Sequence, residues 1–242
     1  RGLLRFLMGT ALRFGPVACL RTRPVPTFLA SSPEAAKQVL IDRGEAYEKP
    51  DRFRPIFGRG VLIGGGEDWE ASRRWLDPFF RRERLGGLVE KVLDVARETV
   101  EDWSQRASGG PLDIGTEMAH LALRIVGRWV FGVDMGARAA RLHRHFTTVF
   151  GLLEGDGLYP YGARDDEVLE RATRLRERVD AIVEELLDIA PDGEEVATPA
   201  ATLMGAHQAG DDPRLTRGRV RDELVNLLSA GYGSTRAHLS WT

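Results

Sequence analysis

The sequence predicts a mainly α-helical fold with a small β-hairpin near the start of the chain. Three observations lead to this fold class. Apolar residues recur at helical spacing almost continuously from Asp68 onward. The stretch from Pro50 to Gly66 holds too many prolines and glycines for a helix, so it is predicted to be a long loop. Apolar residues make up 43% of the 242 residues, which is enough for a sizeable buried core.

The overall composition excludes several classes of protein. The 34 basic and 36 acidic residues give a net charge of −2, which argues against a general nucleic-acid binder. The lone cysteine, Cys19, excludes an internal disulfide and a cysteine-rich zinc module. No apolar run approaches the roughly 18 residues of a membrane helix, so we expect a cytoplasmic location. A signal or anchor upstream of Arg1 would lie outside this sequence.

The first elements follow from turn and capping residues. Val17–Arg21 and Pro26–Ala30 are short extended stretches whose separation by four residues predicts a hairpin. Ser32 is then a candidate N-cap with Pro33 at the first helical position. A short helix is predicted to follow over Glu34–Arg43, ending before a glycine.

The rest of the chain is predicted to be helical. Gly132 is expected to end one of these helices, and Leu215–Thr216 to introduce the last. The helix that begins at Asp165 has apolar residues along one face, which indicates packing against a core. The seven predicted helices are Asp68–Phe80, Leu85–Ala107, Leu112–Phe131, Ala137–Leu153, Asp165–Ile189, Ala200–Ala209 and Val220–Trp241.

The first constellation that could carry chemistry is a pair of donors on the helix from Asp68. Trp69 and Arg73 are four residues apart and therefore lie on one helical face. An indole N–H beside a guanidinium is a donor-only pair suited to a carboxylate. A cation–π contact on an amphipathic helix explains the same spacing, and the spacing alone favours it.

The second constellation lies inside the last helix. Gly231 and Gly233 occupy one turn, although each costs about 1 kcal/mol relative to alanine. Such glycines allow close approach of a flat group or a local break in the helix. Ser234 and Thr235 place hydroxyl groups next to them. A helix-packing notch is the alternative, and the spacing alone favours it.

Three other motifs are excluded as sites. The glycines from Gly58 to Gly66 lack the Gly-Lys-Ser/Thr of a phosphate loop, and two acidic residues follow them. Glu117-x-x-His120 is half of a di-iron carboxylate motif without its second half. His143-x-His145 places its two rings on different sides of a helix. We therefore predict no metal ligands within this chain.

Five segments occur in an order that resembles the cytochrome P450 family. The segment with Trp69-x-x-x-Arg73 is similar to the family's third main helix, and the last segment is similar to its long central helix over the haem. No single motif is decisive, but the ordered set is specific and runs nearly from end to end. In chain order the segments are Gly15–Val17 with the hairpin, Ser32–Leu40, Gly65–Phe80, Phe131–Asp134 and Asp222–Trp241.

The resemblance implies a haem-thiolate monooxygenase that inserts one atom of O₂ into an organic substrate. It implies that Trp69 and Arg73 bind a haem propionate, and that Ala230 and Gly231 lie over the porphyrin face. It also implies a ferredoxin or flavin reductase as electron-transfer partner. Specificity in the family is set largely by the loop before Trp69 and by the region corresponding to Phe146–Tyr161. The apolar residues of this region suggest a small apolar substrate, but core packing explains them equally well.

The resemblance assigns catalytic hydroxyl groups to Ser234 and its neighbour Thr235. Ser234 stands where the family usually has a threonine that steers protons to bound oxygen. Gly233 stands where the family usually has an acidic residue. This departure leaves the usual proton relay incomplete.

The resemblance also implies that residues 1–242 are the N-terminal part of a single cytochrome P450 domain, cut near the end of the central helix. The ligand cysteine would follow Thr242, because Cys19 lies in the predicted hairpin. We therefore expect the chain alone to be inactive. Two alternatives stay open: a non-catalytic helical binding module, and a haem enzyme with peroxide-driven or isomerising chemistry.

Overall fold

The computed structural model describes residues 2–21, 26–49, 53–106, 109–155, 166–191 and 197–241. It confirms the predicted fold class, with one two-stranded sheet and a series of helices in the described residues. The α-helices are α1 Leu3–Phe14, α2 Pro33–Lys37, α3 Arg54–Phe57, α4 Gly66–Leu76, α5 Arg82–Arg106, α6 Ile114–Val130, α7 Ala137–Gly155, α8 Asp166–Ile189, α9 Pro199–Ala209 and α10 Arg217–Trp241.

The predicted hairpin strands are β1, Val17–Leu20, and β2, Thr27–Ala30. They pair antiparallel with Val17 opposite Ala30. The connecting residues 22–25 lie outside the described residues. The preceding helix α1 was not predicted, although its sequence is amphipathic, and most of its large apolar side chains are exposed.

The N-cap prediction at Ser32 is confirmed. Its hydroxyl accepts a hydrogen bond from the Ala35 N–H at 3.2 Å, and Pro33 is the first residue of α2. The helix continues as one π-helical turn, Gln38–Asp42, followed by the 3₁₀ turn Gly44–Ala46.

The predicted loop before the second half of the chain contains the short helix α3, which the glycine and proline content concealed. Gly58 ends α3 with a φ of 63°, a conformation that favours glycine. Helix α4 begins at Gly66, two residues before the predicted start, and continues as the 3₁₀ turn Asp77–Phe80.

The main core surrounds α10. This helix packs against α6, α8 and α9, and its residues from Val220 to Ser229 are almost all buried. A second, smaller cluster joins the loop region around Ile56 and Phe57 to α7 and α8. None of the described helices has the length and apolar content needed to cross a membrane.

Candidate functional site

The donor pair on α4 is exposed and internally in contact. Trp69 is 42% exposed, and the Arg73 guanidinium carbon lies 5.9 Å from the centre of its ring. Arg73 also forms an ion pair with Asp77 at 2.8 Å, with about half of each side chain exposed. The pair therefore presents N–H donors on one accessible face, although the cation–π contact of the alternative interpretation is present as well.

The predicted catalytic segment of α10 lies in an unbroken helix. Ala230 and Ser234 are both exposed and are four residues apart, so they share one side of α10. The Ser234 hydroxyl donates a hydrogen bond to the Ala230 carbonyl oxygen at 3.0 Å. Thr235 is half-buried on a neighbouring side. The local break that the glycines allowed is absent from α10, which is α-helical throughout Arg217–Trp241.

The two glycines of this segment face the protein interior. A Cβ atom on Gly231 would lie 2.7 Å from Val126 Cγ2 of α6, which no real Cβ tolerates. A Cβ atom on Gly233 would lie 3.4 Å from Phe150 Cζ of α7, an ordinary contact. Gly231 therefore provides a packing notch for α6, and an acidic side chain at position 233 would meet Phe150.

A buried polar junction joins α4 to α10. Glu223 is fully buried, and its carboxylate accepts a hydrogen bond from the Ser72 hydroxyl at 2.6 Å. Arg219 donates to the Asp68 carbonyl oxygen at 2.8 Å and to Ser72 Oγ at 2.9 Å. The guanidinium of Arg219 also lies over the ring of Trp75, 5.7 Å from its centre. The helix that carries the donor pair is thus fixed to the first turns of α10.

The same end of α10 holds the loop that precedes α4. Asp222 Oδ2 accepts the Arg59 N–H at 2.8 Å, and Glu223 Oε2 accepts the Val61 N–H at 2.9 Å. Asn226 is fully buried and bonds the loop in both directions. Its Oδ1 accepts the Leu62 N–H at 2.9 Å and its Nδ2 donates to the Phe57 carbonyl oxygen at 2.7 Å.

The glycines of this loop allow its backbone to lie close to the side chains of Asp222 and Asn226 on α10. They do not serve phosphate binding. A Cβ atom on Gly58 would lie 2.2 Å from the Asp222 carboxylate, and one on Gly60 would lie 2.5 Å from Asn226 Nδ2. Sequence reasoning missed this contact. The available signal was the set of three polar residues, Asp222, Glu223 and Asn226, inside an otherwise apolar helical run.

Burial sets the electrostatics of this junction. It raises the pKa of Glu223 above its ordinary value, against the opposing hydrogen bonds from Ser72 and the Val61 N–H. Burial also raises the pKa of Asp180 on α8, although the Arg176 guanidinium lies beside it. Among the described residues, Arg219 Nη1 is buried without a hydrogen-bond partner. The junction therefore buries acidic and basic side chains together and is sensitive to the loss of any one partner.

The excluded motifs have structural roles. Glu117 accepts hydrogen bonds from Trp103 Nε1 at 2.6 Å and from Arg106 at 2.8 and 3.0 Å. His143 Nδ1 lies 2.8 Å from the hydroxyl oxygen of the buried Tyr232, and burial lowers the pKa of His143. Within the described ranges, no group of three or more His, Cys, Asp or Glu side chains converges as metal ligands.

The two predicted sets of site residues lie on helices that pack together, but each set makes its own contacts. Trp69 contacts Arg73, and Ala230 contacts Ser234. The junction at Glu223 is seven residues before Ala230, which corresponds to about 10 Å along α10. Of the predicted substrate region, Phe146 and Phe150 stack against Tyr232, whereas residues 156–161 lie outside the described residues.

Comparison with known proteins gives matches over almost the whole chain. Cyclooctatin synthase of Streptomyces melanosporofaciens is 24% identical over 241 residues, which cover 94% of this chain and 51% of that protein. Cytochrome P450 monooxygenase fsdH of Fusarium heterosporum is 25% identical over 226 residues, which cover 84% and 39%. Cytochrome P450 97B1, chloroplastic, of Pisum sativum is 25% identical over 268 residues, which cover 95% and 48%.

The chain spans about half the length of the curated relatives it matches. The family profile described as cytochrome P450 matches residues 2–242. This match includes the exposed donor pair of α4, the polar junction and the segment of α10 that carries Ala230 and Ser234. The chain therefore belongs to the cytochrome P450 family.

Proposed function

We propose that the full-length protein is a haem-dependent monooxygenase that inserts one atom of O₂ into a small apolar organic substrate. The observation that carries this proposal is the family match over residues 2–242. The uncovered side of α10 at Ala230 and Ser234, and the uncovered donors Trp69 and Arg73 on the helix fixed to it, support it.

The residues present suit a haem group. The indole N–H of Trp69 and the guanidinium of Arg73 would bind a propionate, for which Arg73 would exchange its exposed ion pair with Asp77. The small side chain of Ala230 would allow the porphyrin plane close to α10. Bound haem would supply the iron centre at which O₂ is reduced, one oxygen atom entering the substrate and the other leaving as water.

Proton delivery would rest on the hydroxyl groups of α10. Ser234 holds its proton toward the Ala230 carbonyl oxygen, and Thr235 is the next hydroxyl along the helix. Position 233 offers no carboxylate, and its Cα faces Phe150. We propose that Ser234 is the residue that passes protons on the haem side, without the acidic neighbour that the family usually has.

The partners are proposed from chemistry and surface charge. The exposed apolar side chain of Leu62 in the loop before α4 favours an apolar substrate. Electrons would come from a ferredoxin or flavin reductase. An acidic docking surface on that partner would fit the exposed arginines beside α4, which are Arg74, Arg81, Arg82 and Arg84.

Product analysis of the full-length protein tests this function. With a reductase, NAD(P)H and O₂, we expect a hydroxylated product from an apolar substrate library, and loss of most of this product in Ser234→Ala. Absence of any oxygenated product from a haem-loaded protein would refute the monooxygenase proposal. Ser104→Ala on α5 removes an exposed hydroxyl that likewise donates to the carbonyl oxygen four residues earlier, and this matched control should keep the activity.

A peroxide-driven enzyme is the second candidate, favoured by the missing carboxylate at Gly233. Peroxide brings its own oxygen, electrons and protons, so that relay is not required. Turnover with hydrogen peroxide that clearly exceeds turnover with reductase and O₂ would favour this candidate. The reverse ratio would favour the monooxygenase.

A further inference from the structure

The side of α10 that carries Ala230 and Ser234 continues toward the start of the helix. Asp222, Asn226, Ala230 and Ser234 follow one another at intervals of four residues and therefore form one stripe. In its first half this stripe is covered by the loop of residues 57–64, and in its second half it is exposed. Asn226, the last residue of the stripe that bonds to the loop, lies four residues, or about 6 Å along the helix, before Ala230.

The loop is held mainly through its backbone. Side chains of α10 accept the N–H groups of Arg59, Val61 and Leu62 and donate to the carbonyl oxygen of Phe57. Asn226 contributes two of these four bonds, at 2.9 and 2.7 Å. Backbone anchoring fixes where the loop runs without restricting which side chains it presents.

Asn226 is fixed from both sides. It is fully buried, and its Nδ2 also donates to the Asp222 carbonyl oxygen of the preceding turn at 2.7 Å. Gly60 leaves only enough room for this amide, since a Cβ there would lie 2.5 Å from Nδ2. A side chain at position 60 would occupy the place of the Asn226 amide. The loop can therefore lie this close to α10 only with glycine at position 60 and an amide at position 226.

We propose that Asn226 is a positioning residue: by fixing the loop of residues 57–64 it would set one wall of the substrate space, since this loop belongs to the segment before Trp69 to which the family resemblance assigns specificity. This inference rests on the proposed function, because the exposed part of the stripe is substrate space only if haem binds there. Leu62, which is 38% exposed, is the loop residue whose backbone Asn226 holds. Its displacement would change the fit of a bulky ligand more than that of a small one.

Amide hydrogen exchange in the full-length protein tests whether Asn226 anchors the loop. We expect the peptide covering residues 57–64 to exchange at least tenfold faster in Asn226→Ala and in Gly60→Ala than in the wild type. The double variant should exchange no faster than either single variant, because both changes release the same contact. Ser229→Ala, a buried polar change on α10, is the control and should leave this peptide protected.

Unchanged protection of the loop in Asn226→Ala would overturn the proposal. Asn226→Asp covers the case in which Asn226→Ala does not fold. It keeps the acceptor for the Leu62 N–H but sets a carboxylate oxygen against the Phe57 carbonyl oxygen, so the loop should again exchange faster. Equal protection in this variant and the wild type would also overturn the proposal.

Ligand binding to the full-length haem protein tests the substrate wall. We expect Asn226→Ala to weaken binding of 4-phenylimidazole, measured by the Soret shift, about tenfold. Binding of imidazole, which is too small to reach the loop, should change less than twofold. Equal weakening of both ligands, or no weakening of either, would overturn this inference. A full-length protein that binds no haem would instead overturn the proposed function.

Discussion

One absent Cβ atom determines how closely α6 approaches α10. Gly231 costs the helix about 1 kcal/mol relative to alanine. The fold offsets this cost because Val126 Cγ2 occupies the space that a side chain at 231 would need. Gly233, two residues later, faces the ring of Phe150 at an ordinary contact distance. Contact with Val126 therefore requires glycine at position 231, whereas the ordinary contact distance at position 233 leaves room for a Cβ atom.

The first prediction separates these two glycines. Gly231→Ala should lower the free energy of unfolding by about 1–3 kcal/mol, because a β-branched valine cannot move aside easily. Gly233→Ala should leave it unchanged or raise it by up to about 1 kcal/mol through helix propensity. Urea denaturation of both variants measures the difference. Equal effects would contradict the packing described for Gly231, and the double variant Gly231→Ala/Val126→Ala should lose less free energy of unfolding than the sum of the two single variants.

Arg73 and Arg74 are adjacent but differ in what they contact. Arg73 lies against Trp69 and pairs with Asp77. Arg74 is also exposed, and it has no part in the pair predicted to bind a haem propionate. Because both arginines are exposed, they allow a matched comparison between a predicted site residue, Arg73, and a surface residue, Arg74.

The second prediction uses this comparison in the full-length protein. Arg73→Ala should weaken haem binding about tenfold, which corresponds to ~1.4 kcal/mol. Arg74→Ala should bind haem as the wild type does. Transfer of haem to apomyoglobin, followed by absorbance, measures the retention of haem. Equal retention in the two variants would show that Arg73 does not bind the propionate.

At the scale of elements, the carboxylate of Glu117 links the start of α6 to the end of α5, and Glu98 of α5 pairs with Arg124 and Arg128 further along α6. Glu117 near the start of α6 accepts three hydrogen bonds, from Trp103 and Arg106 near the end of α5. The hydrogen bonds from Arg106 lower the pKa of Glu117 below its ordinary value of 4.5, and burial opposes them. The hydrogen bonds that Glu117 accepts from Trp103 and Arg106 therefore stabilise the folded chain as long as Glu117 is ionised.

The third prediction follows from the direction of that pKa shift. A carboxyl group with a lowered folded-state pKa stabilises the fold above pH 4.5, and the stabilisation is lost as pH falls through the folded-state pKa. Glu117→Gln should therefore lower the free energy of unfolding by about 1–2 kcal/mol at neutral pH. This difference from the wild type should shrink below pH 4.5. Glu170→Gln, in an exposed pair with Arg174, is the control and should change stability little. If the difference in the free energy of unfolding between Glu117→Gln and the wild type did not depend on pH, the stabilising role of the ionised Glu117 would be contradicted.

Elements with local signals were predictable from the sequence, and elements fixed by distant contacts were not. The helices α5 to α10 follow from apolar periodicity, and α2 from the cap at Ser32. The course of the loop was not predictable, since its anchors on α10 lie more than 160 residues away along the chain. Asn226 looked like one polar residue in an apolar helix, and only the fold shows that it holds Leu62 and Phe57.

At the scale of the whole molecule, α10 organises both the core and the candidate site. Its first half is buried among α6, α8 and α9 and fixes α4 and the loop before it. Its second half carries Ala230 and Ser234 on an exposed side. The described chain thus presents exposed donors on α4 and an exposed small-residue surface on α10, and these are the two surfaces at which we propose that haem binds.

The carbon-monoxide difference spectrum of the reduced full-length protein tests whether a cysteine thiolate outside residues 1–242 binds the haem iron. We expect a thiolate-type Soret band for the full-length protein. We expect no such band for the 242-residue chain mixed with haem, whose single cysteine, Cys19, is exposed in β1. A full-length protein without this band, or a 242-residue chain that produces it, would contradict the proposed function.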